Sequence, residues 1–255
     1  MTDVVASEWL KVRTVRSTFW LLAATAAVFV IGCVVSVMMV ADWDSAPPGD
    51  QASFGSADMS VMVLPFMMFS LGALGALAIT AEYGSGMIRP ALVSVPKRLR
   101  LLTAKAVVVG VIGLAAGLVL SSAMLFAVDV IVGDRPAPIA AWPSISDGVP
   151  YVLASSVTVM VVALVGLGLG TAIRSAAGSL VTMTVLLYVL PVAVFFLPAS
   201  WSTNLSAVLL LNLPHQLAGD LPGMPLSQAG AAAALAAYVV LALGAAAVSI
   251  GKRDA

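Results

Sequence analysis

Two side chains in this sequence could take part in nucleophilic chemistry. Ser85 lies between Gly84 and Gly86, which suggests a serine nucleophile, and His215 is the single histidine that could act as its base. Three long apolar segments separate Ser85 from His215, so the two residues are predicted on opposite faces of a membrane. We therefore predict no catalytic residues and interpret the two glycines as a helix break.

The motifs for nucleotide and metal chemistry are missing as well. A phosphate-binding loop needs Gly-x-x-x-x-Gly-Lys followed by Ser or Thr, but Lys252 in Gly251-Lys252-Arg253 is followed by arginine. The sequence has no His-Glu-x-x-His zinc motif, and Cys33 is its only cysteine. We predict no cofactor and no metal site in this chain. Any nucleotide that powers it must bind to another polypeptide.

The amino-acid composition indicates the class of protein and therefore the kind of secondary structure that carries its polar residues. Of 255 residues, 61% are hydrophobic and only 9% are charged, which excludes an ordinary soluble domain and a disordered chain. Twelve basic residues balance twelve acidic ones, so no net positive field indicates nucleic acid as a partner. An integral membrane protein remains.

Six apolar segments are long enough to cross a bilayer as helices. They cover residues 18–40, 59–81, 106–132, 149–173, 178–197 and 229–250. Strand-type alternation is absent, so we predict an all-α integral membrane protein rather than a barrel. Pro191 is expected to kink or end the fifth segment. Since no segment between the spans is long enough for a further domain, residues 1–255 are predicted to form a single transmembrane domain.

The basic residues orient these spans. If the chain alternates across the membrane, all lysines and arginines except Arg135 fall on one side. Those residues are Lys11, Arg13, Arg16, Arg89, Lys97, Arg98, Arg100, Lys105, Arg174, Lys252 and Arg253. Basic residues accumulate on the cytoplasmic side, so both termini are predicted to be cytoplasmic. The Ala, Val and Gly bias of the chain indicates a GC-rich bacterial genome, so the membrane is expected to be a bacterial plasma (inner) membrane.

The residues inside the predicted spans indicate which transport mechanisms are compatible with this sequence. No Asp, Glu, Lys, Arg or His lies in the middle of a span, which argues against proton or sodium antiport and against a charged channel filter. Methionines in the first two spans suit a hydrophobic or amphiphilic substrate. Gly-x-x-x-Gly pairs predict close helix packing, either within the bundle or at a dimer interface. These glycines are Gly113, Gly117, Gly166 and Gly170.

Two segments on the predicted cytoplasmic side combine apolar and basic residues. Residues 1–17 contain Trp9, Lys11, Arg13 and Arg16 among apolar side chains, which predicts a helix lying in the membrane interface, or else a simple basic anchor. Residues 81–105 read AEYGSGMIRPALVSVPKRLRLLTAK, with apolar residues that favour a partner surface over a solvated basic loop.

These two segments resemble the ABC-2 type permeases, the membrane subunits of ABC exporters. An acidic residue, a glycine break, a basic residue and then Leu, Pro, Arg and Lys occur in the family's order. They are Glu82, Gly86, Arg89, Leu92, Pro96, Arg98 and Lys105. The opening Glu8-Trp9-Leu10-Lys11 resembles the family's interfacial helix, whereas Pro90 departs from the pattern.

The resemblance implies a role for each part. Residues 82–105 would form a cytoplasmic coupling segment that docks a separate ABC ATPase, which would bind ATP and Mg²⁺. A second permease copy would complete a homo- or heterodimer that exports a drug, lipid or peptide. An ATP-independent carrier or channel, and a non-transporting scaffold or immunity protein, are the alternatives.

Overall fold

The fold is described by a computed structural model that covers residues 2–87, 98–220, 223 and 225–252, apart from the side chains of Asp3, Arg98 and Lys252. These residues form helices and contain no strand. The helices are α1 Thr2–Thr14, α2 Arg16–Ser45, α3 Pro48–Gln51, α4 Ser60–Gly84, α5 Arg98–Val132, α6 Ile145–Ile173, α7 Ala176–Thr184, α8 Leu190–Phe195, α9 Ala199–Ala207, α10 Leu213–Ala218 and α11 Gln228–Lys252.

Six stretches of the described chain are long and apolar enough to cross a membrane. They are α2, α4, α5, α6, the continuous pair α7–α8, and α11. The prediction of an all-α membrane protein with six spans is therefore confirmed. Helix α5 differs most from its predicted span, because it begins at Arg98 rather than at residue 106.

The fifth span is interrupted where its proline lies. Residues Val185–Val189 form a π turn between α7 and α8, and Pro191 follows in the first turn of α8. A proline inside a helix lacks an N–H and its ring clashes with the carbonyl four residues earlier. The wider π turn removes that conflict, so the chain continues to Phe195 instead of ending at the proline.

Helix α6 occupies the centre of the bundle and packs against α4, α5, α10 and α11. Its contact with α4 is a direct approach of two backbones. A Cβ atom at Gly166 would overlap the carbonyl oxygen of Gly72, and a Cβ atom at Gly170 would lie 2.7 Å from the carbonyl oxygen of Ala76. Only residues without a side chain allow this spacing.

Helix α5 uses the other predicted glycine pair against the same central helix. A Cβ atom at Gly113 would lie 3.0 Å from the Cα atom of Met160, and one at Gly117 would lie 2.8 Å from the Cα atom of Ser156. All four predicted packing glycines thus face other helices of the same chain.

Polar contacts of charged side chains mark the two ends of the helix bundle. At one end, the guanidinium of Arg174 donates to the Ser249 carbonyl at 3.2 Å and lies 5.3 Å from the centre of the Tyr83 ring. This end also receives Lys11 and Lys105, and we call it the basic end. At the opposite end, Arg135 donates to both carboxylate oxygens of Asp44 at 2.8 and 2.7 Å.

Two boundaries at the basic end differ from the prediction. Val15 is extended, with φ −80° and ψ 122°, so α1 ends at Thr14 and Arg16 begins the first spanning helix instead of belonging to the interfacial helix. The predicted coupling segment 82–105 is also shorter, because Glu82 lies inside α4 and Lys105 lies inside α5. The connection between these helices is residues 85–97.

Candidate functional site

Four charged side chains meet at the basic end and form what we call the charge cluster. Lys105 Nζ donates to Glu8 Oε2 at 2.5 Å and to Glu82 Oε1 at 2.8 Å. Lys11 Nζ donates to Glu8 Oε1 at 2.7 Å and to the same Glu82 Oε1 at 2.8 Å. Two carboxylates and two ammonium groups therefore join three helices that are distant in sequence.

The position of each charged residue in its helix explains why the four side chains can meet. Glu8 and Lys11 are three residues apart in α1, so their side chains lie on one face of that helix. Glu82 lies in the last turn of α4, and Lys105 lies about two turns into α5. The extended residue Val15 separates α1 from α2 and allows α1 to pack against α5 instead of continuing the first span.

The cluster is largely removed from solvent. The side chain of Lys105 is 2% exposed, and those of Glu8 and Glu82 are 4% and 11% exposed. Burying one such charge alone is costly, but opposite charges in hydrogen-bonding contact offset much of that cost. The cluster therefore holds α1, α4 and α5 in one relative arrangement, because moving any one helix away breaks two of these four ion pairs.

Lys11 is the most exposed member of the cluster, with 43% of its side chain accessible. Partial burial disfavours its charged form, but hydrogen bonds to Glu8 and Glu82 outweigh this effect and raise its pKa above the ordinary value of 10.5. Lys11 is therefore charged at neutral pH, and its ammonium is the accessible charge of the cluster.

This shift predicts an alkaline loss of stability. Because the folded pKa of Lys11 is raised, its contribution is complete below pH 10.5 and is lost as the pH rises through the folded pKa. We expect the difference in melting temperature between the wild type and Lys11→Met to be largest below pH 10.5 and to shrink above it. A difference that stays constant across this range would contradict the expected role of the Lys11 charge.

The predicted interfacial residues have different environments. Lys11 belongs to the charge cluster, whereas Arg13 and Arg16 are exposed and Trp9 is 39% exposed. Val12, one turn after Glu8 in α1, is buried against the bundle.

The predicted coupling residues are described only in part. Helix α4 ends at Gly84, and Gly86 adopts φ 72°, a left-handed conformation that favours glycine. Arg89, Leu92 and Pro96 lie outside the described residues, and Arg98 is described only as the backbone at the start of α5. Of the predicted set, Glu82 is the residue placed in the charge cluster.

The sequence identified Glu8 and Lys105 only as positions of the two family-like segments and indicated no contact between them. Each carried a usable signal. Glu8 is an acidic residue in a segment otherwise rich in basic ones, and Lys105 borders the apolar run of the third span. Neither signal names a partner, because Glu8 and Lys105 are 97 positions apart.

The two side chains considered for nucleophilic chemistry lie at opposite ends of the bundle. Ser85, next to the basic end of α4, donates its hydroxyl to the Ala81 carbonyl at 2.8 Å. His215 Nδ1 lies 3.1 Å from an oxygen of Asp220, and its ring lies 4.4 Å from that of Tyr151 near the start of α6. The bundle therefore separates Ser85 from His215.

Comparison with known proteins identifies the family. A family model described as "ABC-2 family transporter protein" matches residues 4–189. The matched range contains most of α1, all of α4, α5 and α6, and with them all four residues of the charge cluster. No curated protein matches the sequence.

Proposed function

Because the chain belongs to the ABC-2 transporter family, we propose that it is the membrane-spanning permease subunit of an ATP-driven exporter. The observation that best supports this proposal is the charge cluster. Residues 85–97 connect α4 to α5, and the salt bridge from Lys105 to Glu82 joins the two helices next to that connection. The same residues attach both helices to α1.

This arrangement is suited to transmitting force from a partner. A load applied to residues 85–97 reaches α4 and α5 at adjacent ends, and the charge cluster resists their separation. Helix α4 continues from Glu82 to its close contact with α6 at Gly72 and Gly166. Movement at the basic end would therefore reach the centre of the bundle through stiff helices.

The energy source is proposed to be a separate cytoplasmic ABC ATPase that binds ATP and Mg²⁺. The sequence lacks a phosphate-binding loop of its own, which supports this division of labour. In the proposed arrangement, a second permease copy completes the transporter, and the basic end faces the cytoplasm of a bacterial cell. The basic residues near that end agree with the usual bias of cytoplasmic loops.

The proposed substrate is hydrophobic or amphiphilic, such as a drug, a lipid or an apolar peptide. Among the described residues, charged side chains lie near the ends of the spans, and the middle of the bundle offers apolar and hydroxyl side chains. Met59, which lies beside Gly32 of α2, and Met67, which is buried in the core, add adaptable thioether side chains to this interior.

The proposal is tested by purifying the tagged protein from its host in mild detergent and identifying what accompanies it by mass spectrometry. We expect a stoichiometric partner that carries a phosphate-binding loop. Reconstituting the two proteins in vesicles should give substrate-stimulated ATP hydrolysis. A preparation that lacks any ATPase, even after crosslinking, would favour an ATP-independent carrier or a membrane scaffold.

A double charge reversal tests the coupling segment. We expect Arg89→Glu with Arg98→Glu to uncouple ATP hydrolysis from transport and to weaken ATPase docking about tenfold or more, because both arginines are proposed to pair with acidic groups of the ATPase. Transport, ATP hydrolysis and copurification of the ATPase are measured together. Arg135→Glu, at the opposite end of the bundle, is the control and should leave docking unchanged. Wild-type transport in the double variant would refute the coupling assignment.

A further inference from the structure

A cavity of about 730 Å³ lies beside the charge cluster, between α1, the start of α2, α4 and α5. This volume lies within the range of small-molecule binding sites. Its deep part is lined by Leu74 and Leu77 of α4, and its outer part by Lys11, Glu82 and Ser85. The cavity is therefore apolar toward the membrane interior and polar at the basic end.

The length of the cavity matches one leaflet of a bilayer. From Leu74 to its end at Gly84, α4 rises about 15 Å, at 1.5 Å per residue. The hydrocarbon core of a bilayer is about 30 Å thick, so one leaflet contributes about 15 Å. An acyl chain lying along α4 would begin at the polar mouth and reach the depth of Leu74.

The accessible charge at the mouth is positive. The side chain of Lys11, although paired with Glu8 and Glu82, is 43% exposed, whereas those two carboxylates are 4% and 11% exposed and are also paired with Lys105. The hydroxyl groups of Ser7 and Ser17 also line the cavity and can donate hydrogen bonds.

Two further basic residues stand close to the mouth. Arg13 and Arg16 are exposed on either side of Thr14 and Val15, which belong to the cavity wall. A negatively charged head group is therefore the chemical complement of this opening.

We propose that this cavity binds one anionic phospholipid from the leaflet at the basic end. The phosphate lies near the Lys11 ammonium, and one acyl chain lies along Leu74 and Leu77. The bound lipid fills the space between α1 and α4 and thereby supports the interfacial helix on the bundle. This site requires neither an ATPase nor a transported substrate, so it stands apart from the proposed export function.

Native mass spectrometry of the delipidated protein, titrated with phosphatidylglycerol or with phosphatidylcholine of the same acyl chains, tests the site. We expect the wild type to bind one phosphatidylglycerol molecule in preference to phosphatidylcholine. Ala81→Trp fills the cavity from α4 and should remove this binding, because Ala81 is exposed to the cavity. Val61→Trp places the same side chain on the opposite end of α4, at a position 75% exposed, and should bind as the wild type does.

The head-group contact is tested separately. Lys11→Gln should lower the preference for phosphatidylglycerol about fivefold, the effect of one basic residue near an anionic lipid, and Lys11→Arg should restore it. Equal lipid binding by Ala81→Trp and Val61→Trp would overturn the proposal, as would a wild type that does not prefer phosphatidylglycerol. A lipid-free dimer crosslinked through the cavity would also overturn it and would assign the cavity to a second copy of the chain.

Discussion

Replacing Lys105 with methionine is expected to lower the free energy of unfolding by about 3–5 kcal/mol, the usual cost of leaving a buried charge without its partner. The side chain of Lys105 is 2% exposed and is the shared donor to Glu8 and Glu82. Methionine fills a similar volume but leaves two buried carboxylates with Lys11 as their remaining ammonium. Unfolding in mixed micelles with increasing SDS, followed by tryptophan fluorescence, measures the change.

Three further variants separate charge from packing in this experiment. Lys105→Arg should retain most of the stability, because it keeps the charge. Combining Lys105→Met and Lys11→Met with Glu8→Gln and Glu82→Gln should recover part of the loss, since a cluster with no charges avoids unpaired burial. The control is Arg135→Met, which breaks the exposed pair with Asp44 and should cost far less stability than Lys105→Met, because solvent screens exposed charges. Similar losses for Lys105→Met and Arg135→Met would contradict the structural role of the cluster.

The second large effect is expected at the contact between α4 and α6. Gly166→Ala should lower the free energy of unfolding by about 1–3 kcal/mol, the usual cost of overpacking. The added methyl group would overlap the backbone carbonyl of Gly72, which cannot rotate away as a side chain could. Relief therefore requires the two central helices to separate along their contact, and the same unfolding experiment measures the cost.

The matched control for this prediction is Gly244→Ala in α11. A Cβ atom there meets nothing within 4 Å, so the change should be neutral or stabilising by up to about 1 kcal/mol, the difference in helix propensity between glycine and alanine. If Gly166→Ala were as stable as Gly244→Ala, the close approach of α4 and α6 would not exist in the folded protein.

The two predictions concern different parts of one mechanical path. The charge cluster fixes α4 and α5 to α1 at the basic end, and the glycine contact fixes α4 to α6 in the middle of the bundle. If the chain couples to an ATPase as proposed, weakening either contact should reduce transport per ATP hydrolysed. The charge cluster variants are expected to weaken this path at the basic end, where the ATPase is proposed to dock.

The membrane class, the six spans and a separate helix before the first span could be predicted from the sequence. Hydropathy is a sum over consecutive residues, so each span is determined by its own composition. The break near Gly84 and Gly86 is also local, because glycine readily adopts the positive φ found at Gly86. The order of acidic, glycine, basic and proline residues after the second span indicated the family that the match to residues 4–189 then showed.

The tertiary structure decided which of these local features meet. The charge of Lys105 was evident, but its contact with Glu8 depends on how α1 turns at Val15 and on the rotation of α5. Likewise, the glycine pairs predicted close packing but could not specify the partner, which is α6 for α5 and α4 for α6. Such contacts depend on helix rotation and crossing geometry between distant segments, and no window of consecutive residues contains that information.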